Sequence, residues 1–152
     1  MPGTVADRLV DIAQQVTGAH EAGRNVVTVA GVTFDTVRTG YCTRFVRLVH
    51  EAALGIAPFA WAFAAGNARE CEGLLKAAGK RVDWPRAGAV VCMNRTTSAY
   101  GHIGLCLSET EIAENTSSRS RGPGTVRSAL SSVRGIVSGY YWGLQRAGRR
   151  GA

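Results

Sequence analysis

No stretch of this sequence reaches the ~18 consecutive apolar residues a membrane span requires, so no membrane insertion is expected. The N-terminus, MPGTVADRLVDIAQQV, lacks a basic region followed by an apolar core. No secretory signal is visible there, and the expectation is a protein that is cytoplasmic on synthesis. Lysine is almost missing: Lys76 and Lys80 stand beside 16 arginines in a chain of net charge +7. Paired cysteines are missing too. Cys42, Cys71, Cys92 and Cys106 form no C-x-x-C, so a zinc ribbon or a thioredoxin motif has no support. A domain of 152 residues with no signal peptide has little need of disulfides. Zinc-finger spacing, an RNP-like aromatic strand and a helix-turn-helix pair are all absent, so no nucleic-acid partner is expected. The positive charge favours anionic partners in general. It is spread along the chain, however, and its densest cluster, RAGRR at 146–150, reads as a solvated end.

What remains is an ordinary globular composition, 45% hydrophobic and 19% charged, read as a single domain over residues 1–152. Thr4 caps a predicted helix with Val5, Leu9, Ile12, Ala13 and Val16 at helical spacing, ended by Gly18. Residues 19–40 read as a loop carrying one short β-prone piece, VVTVAGVTF, with His20 on the surface. TGYCTRFVRLVHEAALG (39–55) holds the best-defined helix. Cys42, Phe45, Val46, Val49 and Ala53 form its inward stripe, Thr43, Arg44, Arg47, His50 and Glu51 its polar side, and Gly55 its stop. NARECEGLLKAAG (67–79) reads as a third helix with Cys71 inward. From residue 89 the period changes to two: AVVCM and GHIGLCL are strands around a hairpin-type loop, and EIAEN begins another after the SETE turn. TVRSAL and VRGIVSGYYWGL are β-prone. Cys71, Cys92 and Cys106 fall on apolar faces and read as small buried hydrophobes. Helices first and antiparallel strands later predict an α+β domain.

Cys42 stands apart because it opens a helix, where backbone N–H groups favour a thiolate. His102 opens a strand between Gly101 and Gly104, and Glu114 and Asn115 follow on the next strand. Each fits a role in a thiol hydrolase. Cys42 is the nucleophile and its own N–H an oxyanion donor, while His102 carries the proton. A polar neighbour fixes the ring of His102. Strand neighbours face opposite sides, so only one of Glu114 and Asn115 addresses His102; the spacing fits Glu114, an amide partner would be Asn115, and both stay open. Trp61 and Trp84 suit either a groove or packing. Ser98 and Tyr100 suit the edge of a cleft. Arg119, Arg121 and Arg127 read as a solvated face, with contact to acidic peptide carboxylates as the alternative.

YCTRFVRLVHEAALG, AGAVVCM, GHIGLCL and EIAENTSS, in that order, resemble the NlpC-like peptidases and CHAP amidases of the papain-like superfamily. The resemblance covers about residues 38–118, and Tyr41-Cys42-Thr43-Arg44 is nearer the CHAP style. It implies a papain-like fold, with N-terminal helices on a small antiparallel sheet. It implies a cysteine hydrolase that cleaves an amide bond in peptidoglycan or a muropeptide, with Cys42 as nucleophile and His102 as base. The third member would be Glu114 or Asn115, and no metal or organic cofactor is implied. With no signal peptide visible, a phage or prophage lysin released onto the cell wall is one expectation. The alternatives are a catalytically inactive wall-binding or phage structural module and, more remotely, a basic nucleic-acid-binding protein.

Overall fold

The computed structural model describes residues 3–118 and 120–145. Arg119 and the RAGRR cluster lie outside the described residues. Helix α1, Val5–Glu21, begins on a capping box in which Thr4 Oγ1 accepts from the Asp7 N–H and Asp7 Oδ2 accepts from the Thr4 N–H. It does not stop at Gly18. A glycine costs a helix only about 1 kcal/mol relative to alanine, and the helix continues with Ala19 buried and His20 in its last turn. Residues 19–40 likewise hold more order than expected. β1 (Val26–Val29) and β2 (Val32–Asp35) form an antiparallel hairpin, turned by Ala30 and Gly31 at positive φ.

Helix α2, Cys42–Leu54, and helix α3, Ala68–Ala77, follow the predicted boundaries closely. Gly55 ends α2 in the left-handed conformation at φ 67°. Asn67 caps α3 by accepting from the Glu70 N–H at 2.9 Å. The polar side of α2 departs from expectation: Arg47, His50 and Glu51 are buried. Residues 56–66 fold back over that side and stack Trp61 on His50, ring centroids 4.4 Å apart. Trp61 also donates its indole N–H to the Gly143 carbonyl at 2.8 Å. Burial holds His50 at a pKa of about 4, so the ring is neutral and structural.

The strands β3 (Arg81–Val82), β4 (Val90–Cys92), β5 (Ile103–Cys106), β6 (Glu111–Thr116), β7 (Gly124–Ala129) and β8 (Gly139–Tyr141) make one antiparallel sheet in the order β3-β8-β4-β5-β6-β7. The alternation in GHIGLCL is as read. Ile103, Leu105 and Leu107 enter the main core beneath α1 and α2, and Cys106 joins a smaller cluster on the opposite face. Cys71, Cys92 and Cys106 are fully buried. VRGIVSGYYWGL is not one strand. It forms one short 3₁₀ turn, Arg134–Ile136, and β8 then inserts between β3 and β4. The main core runs from Leu9 on α1 to Tyr141 on β8, joining both ends of the described chain around the sheet.

Candidate active site

Cys42 is the first residue of α2, and as an N-terminal helical residue its N–H has no helical acceptor. The thiol is half-buried and lines a cleft of about 640 Å³ with His102, Asn67, Tyr100 and Arg121. Ser98 also lines this cleft; Trp61 and Trp84 do not. His102 precedes β5 by one residue. Its carbonyl accepts from the Met93 N–H at 2.8 Å and its own N–H donates to Asn94 Oδ1 at 3.2 Å, which fixes the backbone from both sides.

The ring of His102 meets Glu114: Nε2 lies 2.7 Å from Oε1. The two are not directly opposite in the ladder. Glu114 pairs with Gly104, so His102 reaches it diagonally across a residue with no side chain. A Cβ on Gly104 would stand 2.7 Å from the Ala113 carbonyl oxygen and 3.3 Å from Glu114 Cβ. Gly101 has a different necessity. It sits at φ +71°, and a Cβ there would overlap Asn94 Oδ1, the acceptor for His102. The glycines of G-H-I-G therefore make room for the two groups that hold the histidine.

Alternation separates the two candidates for the third position. Glu114 shares the face of Ile112 and Asn115 that of Ala113, and these neighbours enter different cores. Glu114 is bonded to His102; Asn115 is not. Asn115 Oδ1 accepts from the Tyr41 N–H at 2.9 Å, while its Nδ2 donates to the Arg38 carbonyl at 2.6 Å and Thr125 Oγ1 at 3.0 Å. Asn115 thus ties the segment leading into Cys42 onto β6 and β7.

Arg121, expected on a solvated face, instead turns in to Glu114. Its Nε donates to Glu114 Oε2 at 2.7 Å and its Nη2 to Oε1 at 3.1 Å. Arg127 instead pairs with Glu21 at the surface. Nothing local distinguishes the two arginines in sequence, since the chain must turn after β6 to bring Arg121 back. A second hidden support is Glu72 on α3. It accepts from Asn94 Nδ2 at 2.6 Å, Ser138 Oγ at 2.9 Å and the Tyr141 hydroxyl at 2.6 Å, and so fixes the amide that holds the His102 N–H.

Burial disfavours every charge here, but the charges answer one another. Burial of Cys42 would raise its thiol, yet hydrogen bonding to His102 and that ring's charge bring it below the ordinary value. Burial would also lower His102, but Cys42 and Glu114 together push it up to about 9. Glu114, though wholly buried, is held at about 2 by hydrogen bonds from His102 and Arg121. Each group therefore shifts the other toward its charged form, thiolate beside imidazolium. Because Glu114 engages Nε2, Nδ1 is the ring atom left for the thiol. Burial pushes the other three thiols up, Cys71 and Cys106 to about 12. Among the described residues no cluster of His, Cys, Asp and Glu is arranged to hold a metal ion.

The family model of the CHAP domain matches residues 32–117, more than half of the chain. That span begins in the β1–β2 hairpin and ends just after β6, so it includes Cys42, His102 and Glu114. No match to the chain is found among curated proteins.

Proposed function

Because the chain belongs to the CHAP-domain family, which has a papain-like fold and generally hydrolyses peptidoglycan, we propose that it is a cysteine peptidase or amidase working through Cys42, His102 and Glu114. The reading takes residues 1–152 as one hydrolase domain. It is carried by one observation: Cys42 and His102 line the same cleft, and Nε2 of that ring is engaged by the buried carboxylate of Glu114.

The Cys42 thiolate attacks the carbonyl carbon of an amide, forming a C–S bond, and the oxyanion meets the free Cys42 N–H. The C–N bond then breaks as the His102 imidazolium gives its proton to the departing amine. Neutral His102 next takes a proton from water, whose oxygen attacks the thioester. The C–S bond breaks, the acid leaves, and the thiolate–imidazolium pair is restored. Glu114 keeps the ring oriented and favours its charged form, and Arg121 keeps Glu114 ionised. No step calls on a metal or organic cofactor.

The test is digestion of purified wall sacculi by wild type and by Cys42→Ala, with mass spectrometry of the soluble muropeptides. Wild type is expected to release fragments with a newly freed amine and carboxyl, and the variant none. Equal, product-free behaviour of both proteins would favour a non-catalytic wall-binding module instead.

A further inference from the structure

Beside the catalytic cleft lies a second groove of about 750 Å³, sharing Gly40, Thr43 and Gly66 with it. Tyr41, Arg44, Arg47 and Phe59 line it. Two of its features bear on a ligand, and the first is unfavourable for folding alone. Phe59 is 75% exposed, and its backbone sits at φ +66°, in the left-handed region where bulky residues are rare. It is nonetheless firmly held. Its N–H donates to Glu51 Oε2 at 2.8 Å, and the Arg47 guanidinium lies 3.9 Å from its ring centroid. Arg47 is in turn fixed to Glu51 Oε1 at 2.6 Å. One face of the ring is backed by a buried ion pair, which leaves the rest of the ring to solvent.

Arg44, the second feature, is exposed on α2. It lies 5.0 Å from the Tyr41 ring centroid, with Arg38 at 5.1 Å from the same ring. Among the described residues neither arginine has a carboxylate partner. Asp35, nearby behind Tyr41, accepts the backbone N–H groups of Val37 and Arg38 instead. Among the described residues, an exposed arginine with no direct ion-pair partner therefore stands over the ring of Tyr41, the residue before Cys42 in sequence.

We propose that this groove takes an acidic peptide: Arg44 binds a free carboxylate of the chain being cleaved while Phe59 carries an adjoining apolar part. The assignment deepens the hydrolase reading of Cys42 and rests on it. Guanidinium suits this task because its planar fork meets both oxygens of a carboxylate. Tyr41 joins the two sites physically, since it precedes the thiol in sequence and its ring receives Arg44.

The test measures binding directly, by fluorescence anisotropy, to the full-length Cys42→Ala protein. The probes are two labelled synthetic tetrapeptides of one sequence, one with free side-chain carboxylates and one with those carboxylates amidated. The acidic peptide is expected to bind about tenfold tighter. Arg44→Gln should abolish that preference, Arg44→Lys should restore part of it, and Phe59→Ala should weaken both peptides. Equal affinity for the two peptides, or a preference that survives Arg44→Gln, overturns the proposal. Sacculus digestion by the wild type separates the two readings. Digestion without carboxylate preference removes the groove assignment alone, whereas Arg44-dependent binding without digestion removes the catalytic reading and leaves the binding site standing.

Discussion

Arg121 and His102 meet on a single oxygen of Glu114: Oε1 lies 2.7 Å from His102 Nε2 and 3.1 Å from Arg121 Nη2. The carboxylate is wholly buried, so it depends on these two cations for its charge. Arg121→Met is expected to leave Glu114 with one partner and to lower stability by about 2 kcal/mol. Activity should fall further than stability does, and Arg121→Lys, which keeps the charge without the fork, should lie between. Thermal denaturation together with a rate profile across pH checks both effects.

Glu114 and Asn115 should fail in different ways. Glu114→Gln removes the charge that raises the His102 pKa, so kcat is expected to drop by about 100-fold or more. The basic limb of its pH profile should move to lower pH. Asn115→Ala frees the segment at residues 38–41 and should cost about 1–3 kcal/mol through the groups left unpaired. It should not move that limb. A shifted limb in Asn115→Ala with an unmoved one in Glu114→Gln would reverse the two roles.

The acid–base behaviour has a definite sign. The rate is expected to rise with pH as the Cys42 thiol ionises, below the usual thiol range. It should fall again as His102 loses the proton that the proposed mechanism gives to the leaving amine, near pH 9. Stability follows Glu114 at the other end. Its folded pKa is depressed to about 2, so its contribution is complete above the ordinary carboxyl value and is lost as pH falls toward 2. Steady-state rates and melting temperatures, each measured against pH, test the two statements separately.

Thiol labelling gives a simpler check. At pH 6.5 iodoacetamide should modify Cys42 first, leaving Cys71, Cys92 and Cys106 intact while the protein stays folded. Peptide mapping that found equal rates at all four would remove the basis for an activated thiol.

Gly101→Ala should be costly for its size. The new methyl group would displace Asn94, whose amide holds the His102 N–H, at a backbone φ that disfavours alanine. A loss of about 1–3 kcal/mol is expected, with activity reduced in the protein that remains folded. Chemical denaturation alongside turnover measures both.

The sequence was most legible where structure is local. Gly55 ended α2 because a left-handed stop needs only its own neighbours. The alternation around Ile103 and Leu105 announced a strand with two different faces for the same reason. It failed where distant segments decide. Helical period marks one buried stripe on α2, but nothing in it shows that Trp61 returns to cover His50. Arg121 reads as one more surface arginine until the turn after β6 brings it to Glu114. Glycine at position 18 carried less weight than its reputation, because packing of Ala19 outlasts a weak break.

The sheet order β3-β8-β4 carries a consequence for how the protein matures. β4 has one open flank, and β3 no partner at all, until residues 139–141 emerge from the ribosome. Tyr141 arrives with that strand, and its hydroxyl completes the ring of donors around Glu72, which steadies Asn94 and through it His102. On the proposed mechanism, the nascent chain thus carries its nucleophile long before its proton carrier is firmly seated, and competence waits on the last strand of the described residues.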